Sequence, residues 1–296
     1  LNKGLKIFGV LTSIGMLIVL LQGSVVTKTD SGDGCGETWP LCFGEFVPAS
    51  PALATLIEYS HRMVSGVVGL MVVILAFWSV KKLSHMRETK FWALMAVLFI
   101  IFQGLMGAAA VVFGSSSLVL ALHFGISAIS FATVVILTAL AFEDGRRLPA
   151  PRVKKGFRGY LFFVLAYTYA VIYSGAYVKH TGSTYACAQF PHCGDVANFG
   201  FQAGVQMTHR IAAIVLVVLL FILFVQAFRY RYESKMLAGS GIAVIILVMI
   251  QAGAGIAIVF FPDAYLATAL THSLTVSLLF TVLCYMAMIA TRNRAY

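Results

Sequence analysis

Eight apolar runs constrain this chain more than anything else in it. They lie at about 5–26, 53–80, 91–113, 118–142, 158–178, 203–228, 237–261 and 265–290, and each reaches the roughly 20 residues a helix needs to cross the hydrocarbon core of a bilayer. Peptide groups in hydrocarbon have no water to bond, so the chain there must be a helix or part of a closed barrel. Runs this long predict helices, and so an all-α integral membrane protein. With 60% hydrophobic and 11% charged residues and a mean hydropathy of +0.92, the chain is no ordinary soluble domain. The first run is too long, and too similar to the later ones, to be a cleaved secretory signal.

Charge placement predicts orientation. Eight spans put both termini on one side. The termini and the loops following spans 2, 4 and 6 carry 17 of the 21 Lys and Arg residues; the others are Lys28, Arg62, Lys179 and Arg210. The positive-inside rule then places both termini in the cytoplasm, with the protein in the cell membrane. Loop bias alone accounts for the net charge of +10, so no nucleic-acid partner is implied. Four of the five cysteines fall in outer loops, Cys35 with Cys42 and Cys187 with Cys193. On the oxidising side, two such pairs read as two disulfides. Metal binding is the other reading; neither loop has the usual Cys/His quartet, although His180 and His192 lie near the second pair. Cys284, in the last span, reads as a core residue.

The sequence is also written twice. "GSVVTKT" (23–29) answers to "GAYVKHT" (175–181), "CGETWPLC" (35–42) to "CAQFPHC" (187–193), and "EYSHRMVSG" (58–66) to "QMTHRIAAI" (206–214). "QGLMGAAAVVFG" (103–114) answers to "QAGAGIAIVFFP" (251–262), and "LALHFGISA" (120–128) to "TALTHSLTV" (268–276). Four spans per copy is an even number, so both copies enter the membrane in the same sense. The expectation is two parallel-repeat four-helix bundles related by a pseudo-two-fold axis along the membrane normal. Residues 1–142 form one half, 143–157 a basic, proline-bearing cytoplasmic linker, and 158–296 the other half.

Four of the seven histidines lie inside spans: His61, His123, His209 and His272. They fall on the second and fourth span of each copy, six to ten residues from the outer end, or roughly 9–15 Å at the helical rise. A buried histidine can simply bond a neighbouring helix. Two matched pairs at one depth point instead to bis-imidazole ligation of a flat iron cofactor, one haem pocket per half. Zinc would need further nitrogen or sulfur ligands at each pair. Arg62 and Arg210 directly follow a candidate ligand and suit haem propionates; lipid headgroups are their other natural partners. Glu58 shares a helix face with His61. Its counterpart is Gln206, which bonds but takes up no proton. The asymmetry suggests that the first half performs chemistry and the second holds a haem for structure or electron transfer. A plain hydrogen bond from Glu58 to a neighbouring helix is the bland alternative.

With "EYSHR", "ALHFG", "QMTHR", "LTHSL" and the cysteine-bearing loops in this order, essentially the whole chain resembles the bacterial haem A synthase family. The resemblance implies an oxidoreductase that converts the C8 methyl of haem O to a formyl group. Two successive hydroxylations are implied, with water as oxygen source and loss of water from the geminal diol. It implies His61 and His123 around the substrate haem O, and His209 and His272 as axial ligands of a haem b cofactor. Glu58 would act as base or stabilise positive charge at the oxidised carbon. Cys35–Cys42 would shape the pocket or exchange with a thiol–disulfide partner, and Cys187–Cys193 would be structural. Implied partners are the haem O synthase supplying the substrate, a membrane or quinone-linked electron acceptor, and lipid; no oligomeric state follows. Competing readings are a di-haem electron-transfer cytochrome, a transporter and a non-catalytic haem-handling assembly protein. A cytochrome that carries electrons across the membrane needs haems at different depths, a transporter needs an inward charge pathway, and Glu58 argues against the last.

Overall fold

The computed structural model describes residues 2–49, 51–114, 116–146, 151–187, 189–193 and 200–292. Among them are eight α-helices and no β-strand: α1 (Lys3–Lys28), α2 (Leu53–Lys82), α3 (Thr89–Val112), α4 (Ser117–Glu143), α5 (Lys155–His180), α6 (Phe201–Phe228), α7 (Lys235–Phe260) and α8 (Tyr265–Thr291). All eight are long and apolar enough to cross a membrane, which makes this a multi-pass membrane protein. Each apolar run became one helix, extended at most ends by one to three residues. Lys155–Phe157, expected in the linker, instead form the first turn of α5. Linker residues 147–150, with Arg147, and terminal Arg294 lie outside the described residues.

The chain divides into two compact units, Leu1–Arg146 and Arg147–Tyr296. In the first, α1, α2, α3 and α4 pack on their neighbours in chain order, α1 closes against α4, and α2 also touches α4 across the diagonal. In the second, α5 to α8 pack in the same order and α5 closes against α8, with no α6–α8 diagonal contact among the described residues.

The two units repeat details as well as helices. Asp30 after α1 and Gly182 after α5 both turn the chain with positive φ, 50° and 67°, a conformation that ends helices and favours Gly or Asp. The flanking hydroxyls pair alike, Thr29 with Ser31 at 2.7 Å and Thr181 with Ser183 at 2.8 Å. Trp39–Pro40 and Phe190–Pro191 are both cis.

The apolar core sits toward the basic-loop end. In the second unit it comprises Leu161, Val164, Leu220, Leu223, Leu237, Val244 and Leu283 with their neighbours. Leu5, Leu75, Leu83, Ala93 and Leu140 are buried at the corresponding end of the first. Large side chains such as Leu70, Phe77, Leu105, Phe221 and Met249 stay exposed, as suits helices whose outward faces meet lipid rather than water. Helix contact also needs small residues, because lipid supplies no hydrophobic drive for helices to associate. At Gly9 of α1, an added Cβ would lie 2.8 Å from Oγ1 of Thr138 on α4, and that hydroxyl meets Ser13 Oγ at 3.0 Å. Gly9→Val is therefore expected to separate α1 from α4 and cost about 1–3 kcal/mol, read as a lower thermal unfolding midpoint of the purified protein in detergent.

Candidate functional site

The four histidines stand toward the cysteine-loop end, away from the apolar core. His61 and His209 come eight residues after the first residue of α2 and α6, His123 six after that of α4, and His272 seven after that of α8. Each imidazole lies against a glycine on the preceding helix of its unit. A Cβ on Gly23 would meet His61 Cε1 at 3.2 Å, and one on Gly107 would meet His123 Cε1 at 3.3 Å. In the second unit, Gly175 faces His209 Cε1 at 2.9 Å and Gly255 faces His272 Cε1 at 3.1 Å. A methyl group at any of the four would push on the ring, so the glycines are what admit the imidazoles. In the first unit the two histidine-bearing helices, α2 and α4, also touch.

Hydrogen bonds then fix the rings. Gln103 Nε2 lies 3.2 Å from His123 Nε2, and Gln251 Nε2 lies 3.0 Å from His272 Nε2. Both amides are neutral partners that a metal would displace. At Nδ1 the two units differ. His209 Nδ1 bonds Ser174 Oγ at 2.8 Å and His272 Nδ1 bonds the Gln251 carbonyl at 3.1 Å. His61 Nδ1 has only Ser65 Oγ at 3.5 Å, and His123 Nδ1 is buried with no partner among the described residues. Ligating histidines ordinarily use the second nitrogen to fix tautomer and ring orientation, so the second unit is the better prepared to hold a metal firmly. Each glycine-seated imidazole is a residue type that could ligate a haem iron.

Glu58 and Arg62 are four residues apart and form a buried ion pair, their side chains 5% and 8% exposed. The other carboxylate oxygen, Oε2, accepts from the backbone N–H of Cys35 at 2.8 Å. Arg62 Nη1 donates to the carbonyls of Thr38 and Leu41, at 2.6 and 3.0 Å. Both carbonyls belong to the loop closed by the Cys35–Cys42 disulfide, whose cysteines are fully buried. Arg62 Nε is buried and keeps a donor with no partner among the described residues. In the second unit Arg210 grips its loop in the same way, donating to the carbonyls of Gln189 and Cys187 beside the Cys187–Cys193 disulfide. Gln206 donates through Nε2 to the Thr184 carbonyl at 2.8 Å. Position 58 thus accepts from its loop, whereas position 206 donates to its own.

Both guanidiniums turn onto loop carbonyls rather than out to lipid headgroups, because a buried arginine must find acceptors. Both cysteine pairs are joined as disulfides. Sequence reasoning placed the histidines, the glutamate and the arginines at one end of the helices, and so they lie. It missed the Glu58–Arg62 pair, although a spacing of four on a helix is the standard signal for one. It also missed Gln103, Gln251 and Ser174, whose roles depend on which helix packs beside which.

Residues 6–284 match the family described as "Cytochrome oxidase assembly protein". The chain is 56% identical over 298 residues to a "Heme A synthase" of Halalkalibacterium halodurans, covering the whole of both chains. It is 51% identical over 302 residues to one of Shouchella clausii, again end to end, and 55% identical over 296 residues to one of Alkalihalophilus pseudofirmus, covering 99% of each chain. Four part-buried histidines, one buried carboxylate and two disulfide loops on eight membrane-capable helices, in a chain matched over its whole length, make this protein a member of the haem A synthase family.

Proposed function

We propose that the protein is a haem A synthase, an oxidoreductase that converts the C8 methyl of haem O to a formyl group. The carrying observation is the inequality of two otherwise matched sites. The first unit has the carboxylate and loosely fixed imidazoles; the second has an amide and imidazoles fixed at Nδ1 by Ser174 and the Gln251 carbonyl. A site that must release its product benefits from weak ligand fixation, and a site that keeps a cofactor benefits from strong fixation.

On this reading the first unit binds substrate haem O between His61 and His123, and the second holds a resident haem b between His209 and His272. A haem held by His209 and His272 would supply one-electron chemistry when bound. Each hydroxylation takes an oxygen atom from water and releases two electrons and two protons. After the second, loss of water from the geminal diol leaves the formyl group. Glu58 accepts a proton at the reacting carbon, or stabilises positive charge there, from a water-poor setting in which such an interaction is strong. The electrons leave to a membrane or quinone-linked acceptor, and a haem O synthase delivers the substrate. Both termini lie in the cytoplasm and the cysteine loops outside it, where disulfides persist.

Extraction of the bound pigments and identification by mass is the direct test: a formylated, farnesylated haem is expected after incubation with haem O, and haem b alone would sink the reading. Glu58→Gln should retain haem O binding by difference spectrum while conversion drops by about 100-fold or more; full activity would remove the carboxylate from the chemistry. His209→Ala and His272→Ala should each deplete the resident haem, and Ser174→Ala should weaken its retention by about 10-fold or more, measured as haem content per polypeptide after chromatography.

A further inference from the structure

The carboxylate of Glu58 is held from two sides by parts of the chain that are themselves interlocked. The loop before α2 lies directly on the first turn of that helix. At Gly34 an added Cβ would stand 2.5 Å from the carbonyl oxygen of Ala54 and 2.8 Å from the backbone nitrogen of Thr55. Both neighbours are backbone atoms and cannot swing away. Thr55 Oγ1 fastens the same residue, donating to the Gly34 carbonyl at 2.7 Å. This close approach brings the next residue, Cys35, to where its N–H meets Glu58 Oε2. Seven residues on, Cys42 returns the chain to Cys35 through the disulfide. Arg62 completes the circuit, with one nitrogen on Thr38 and Leu41 of that loop and another on Glu58 Oε1.

The second unit lacks this circuit. Ala186 occupies the place of Gly34, next to Cys187, and Gln206 reaches the Thr184 carbonyl instead of a cysteine N–H. Arg210 holds its loop but has no carboxylate at position 206 to pair with. The structural use of the arginine is therefore common to both units, while among the described residues its grip on a carboxylate is seen in the first alone.

We propose that Arg62 and Gly34 are positioning residues for Glu58. Arg62 fixes one carboxylate oxygen, and Gly34 sets the loop height at which Cys35 N–H fixes the other, so that the disulfide loop and the reacting carboxylate move as one piece. The inference rests on the reading that Glu58 acts on haem O. It assigns Arg62 a role through Glu58 that is separate from any contact of its own with substrate.

The test compares Glu58→Gln, Arg62→Lys and Gly34→Ala in the purified full chain, each with the unfolding midpoint measured alongside turnover. Lysine keeps the charge but has one nitrogen, and so cannot serve two loop carbonyls and a carboxylate together. Arg62→Lys and Gly34→Ala should each lower kcat for haem O by about tenfold or more; KM should stay within about twofold in both, and each variant should remain folded, Gly34→Ala with a modestly lowered unfolding midpoint because its Cβ presses on backbone. Both should also speed reduction of Cys35–Cys42 by dithiothreitol, followed by mass tagging of the freed thiols, a change that lost substrate contact would not produce. Faster reduction with parental kcat would overturn the proposal, leaving a loop clamp without influence on Glu58. A raised KM with parental kcat would overturn it in favour of direct substrate binding by Arg62. Loss of the folded state in both variants would show a general structural role and overturn it as well. An active Glu58→Gln would instead refute the catalytic reading itself, and is recognised because it does not depend on either positioning variant.

Discussion

An imidazole can enter a packed helical interior only where the neighbouring backbone comes close and carries no side chain. Four glycines meet that requirement here, each on the helix before the one that bears the ring. The ring is then confined between its own helix and a bare stretch of backbone, and one or two hydrogen bonds suffice to set its angle. Everything else about the candidate sites depends on this seating. The apolar core is displaced toward the basic-loop end, the glutamines on α3 and α7 come within reach of Nε2, and the arginines are left facing the loops.

Buried arginines then shape the other end. A guanidinium has five N–H donors and no way of becoming neutral, so once inside it must find acceptors. In both units it finds them in the carbonyls of a disulfide-closed loop. The loops are thereby drawn down onto the helices rather than left in solvent. In the first unit the same guanidinium also pairs with a carboxylate. A buried ion pair is weak evidence of stabilisation, since desolvation offsets much of the attraction. Its value here lies in orientation, because the carboxylate is fixed by partners on both oxygens.

Much of this was legible in the sequence. Apolar run length gave the helices to within a few residues, because hydrocarbon allows so few backbone arrangements. The doubled phrases gave the correspondence between the units, down to the paired histidines. Four of the glycines stood inside phrases already matched between the copies, yet their function was hidden. Whether Gly107 sits under His123 depends on helix rotation, which a one-dimensional pattern does not encode. The same applies to Ser174, thirty-five residues from the ring it bonds. Gly34 was hidden for another reason: in a loop rich in glycine, only the three-dimensional path shows which one touches another backbone. The Glu58–Arg62 pair was within reach of simple helix geometry, but attention to each residue's relation with His61 obscured their relation with each other.

The opposite polarity of positions 58 and 206 has a consequence for exchanging residues between the two units. One side chain accepts a hydrogen bond from a peptide N–H, and the other donates one to a peptide carbonyl. An amide set in the first copy can still offer oxygen to Cys35, but its remaining NH2 then confronts a guanidinium that also only donates. A carboxylate set in the second copy would face a carbonyl, acceptor against acceptor. The carboxylate's hydrogen bonding therefore cannot be transplanted from one half to the other by exchanging a single side chain; a peptide unit in the overlying loop would have to turn over as well. The distinction between the halves is written into main-chain direction, and that makes it hard to reverse.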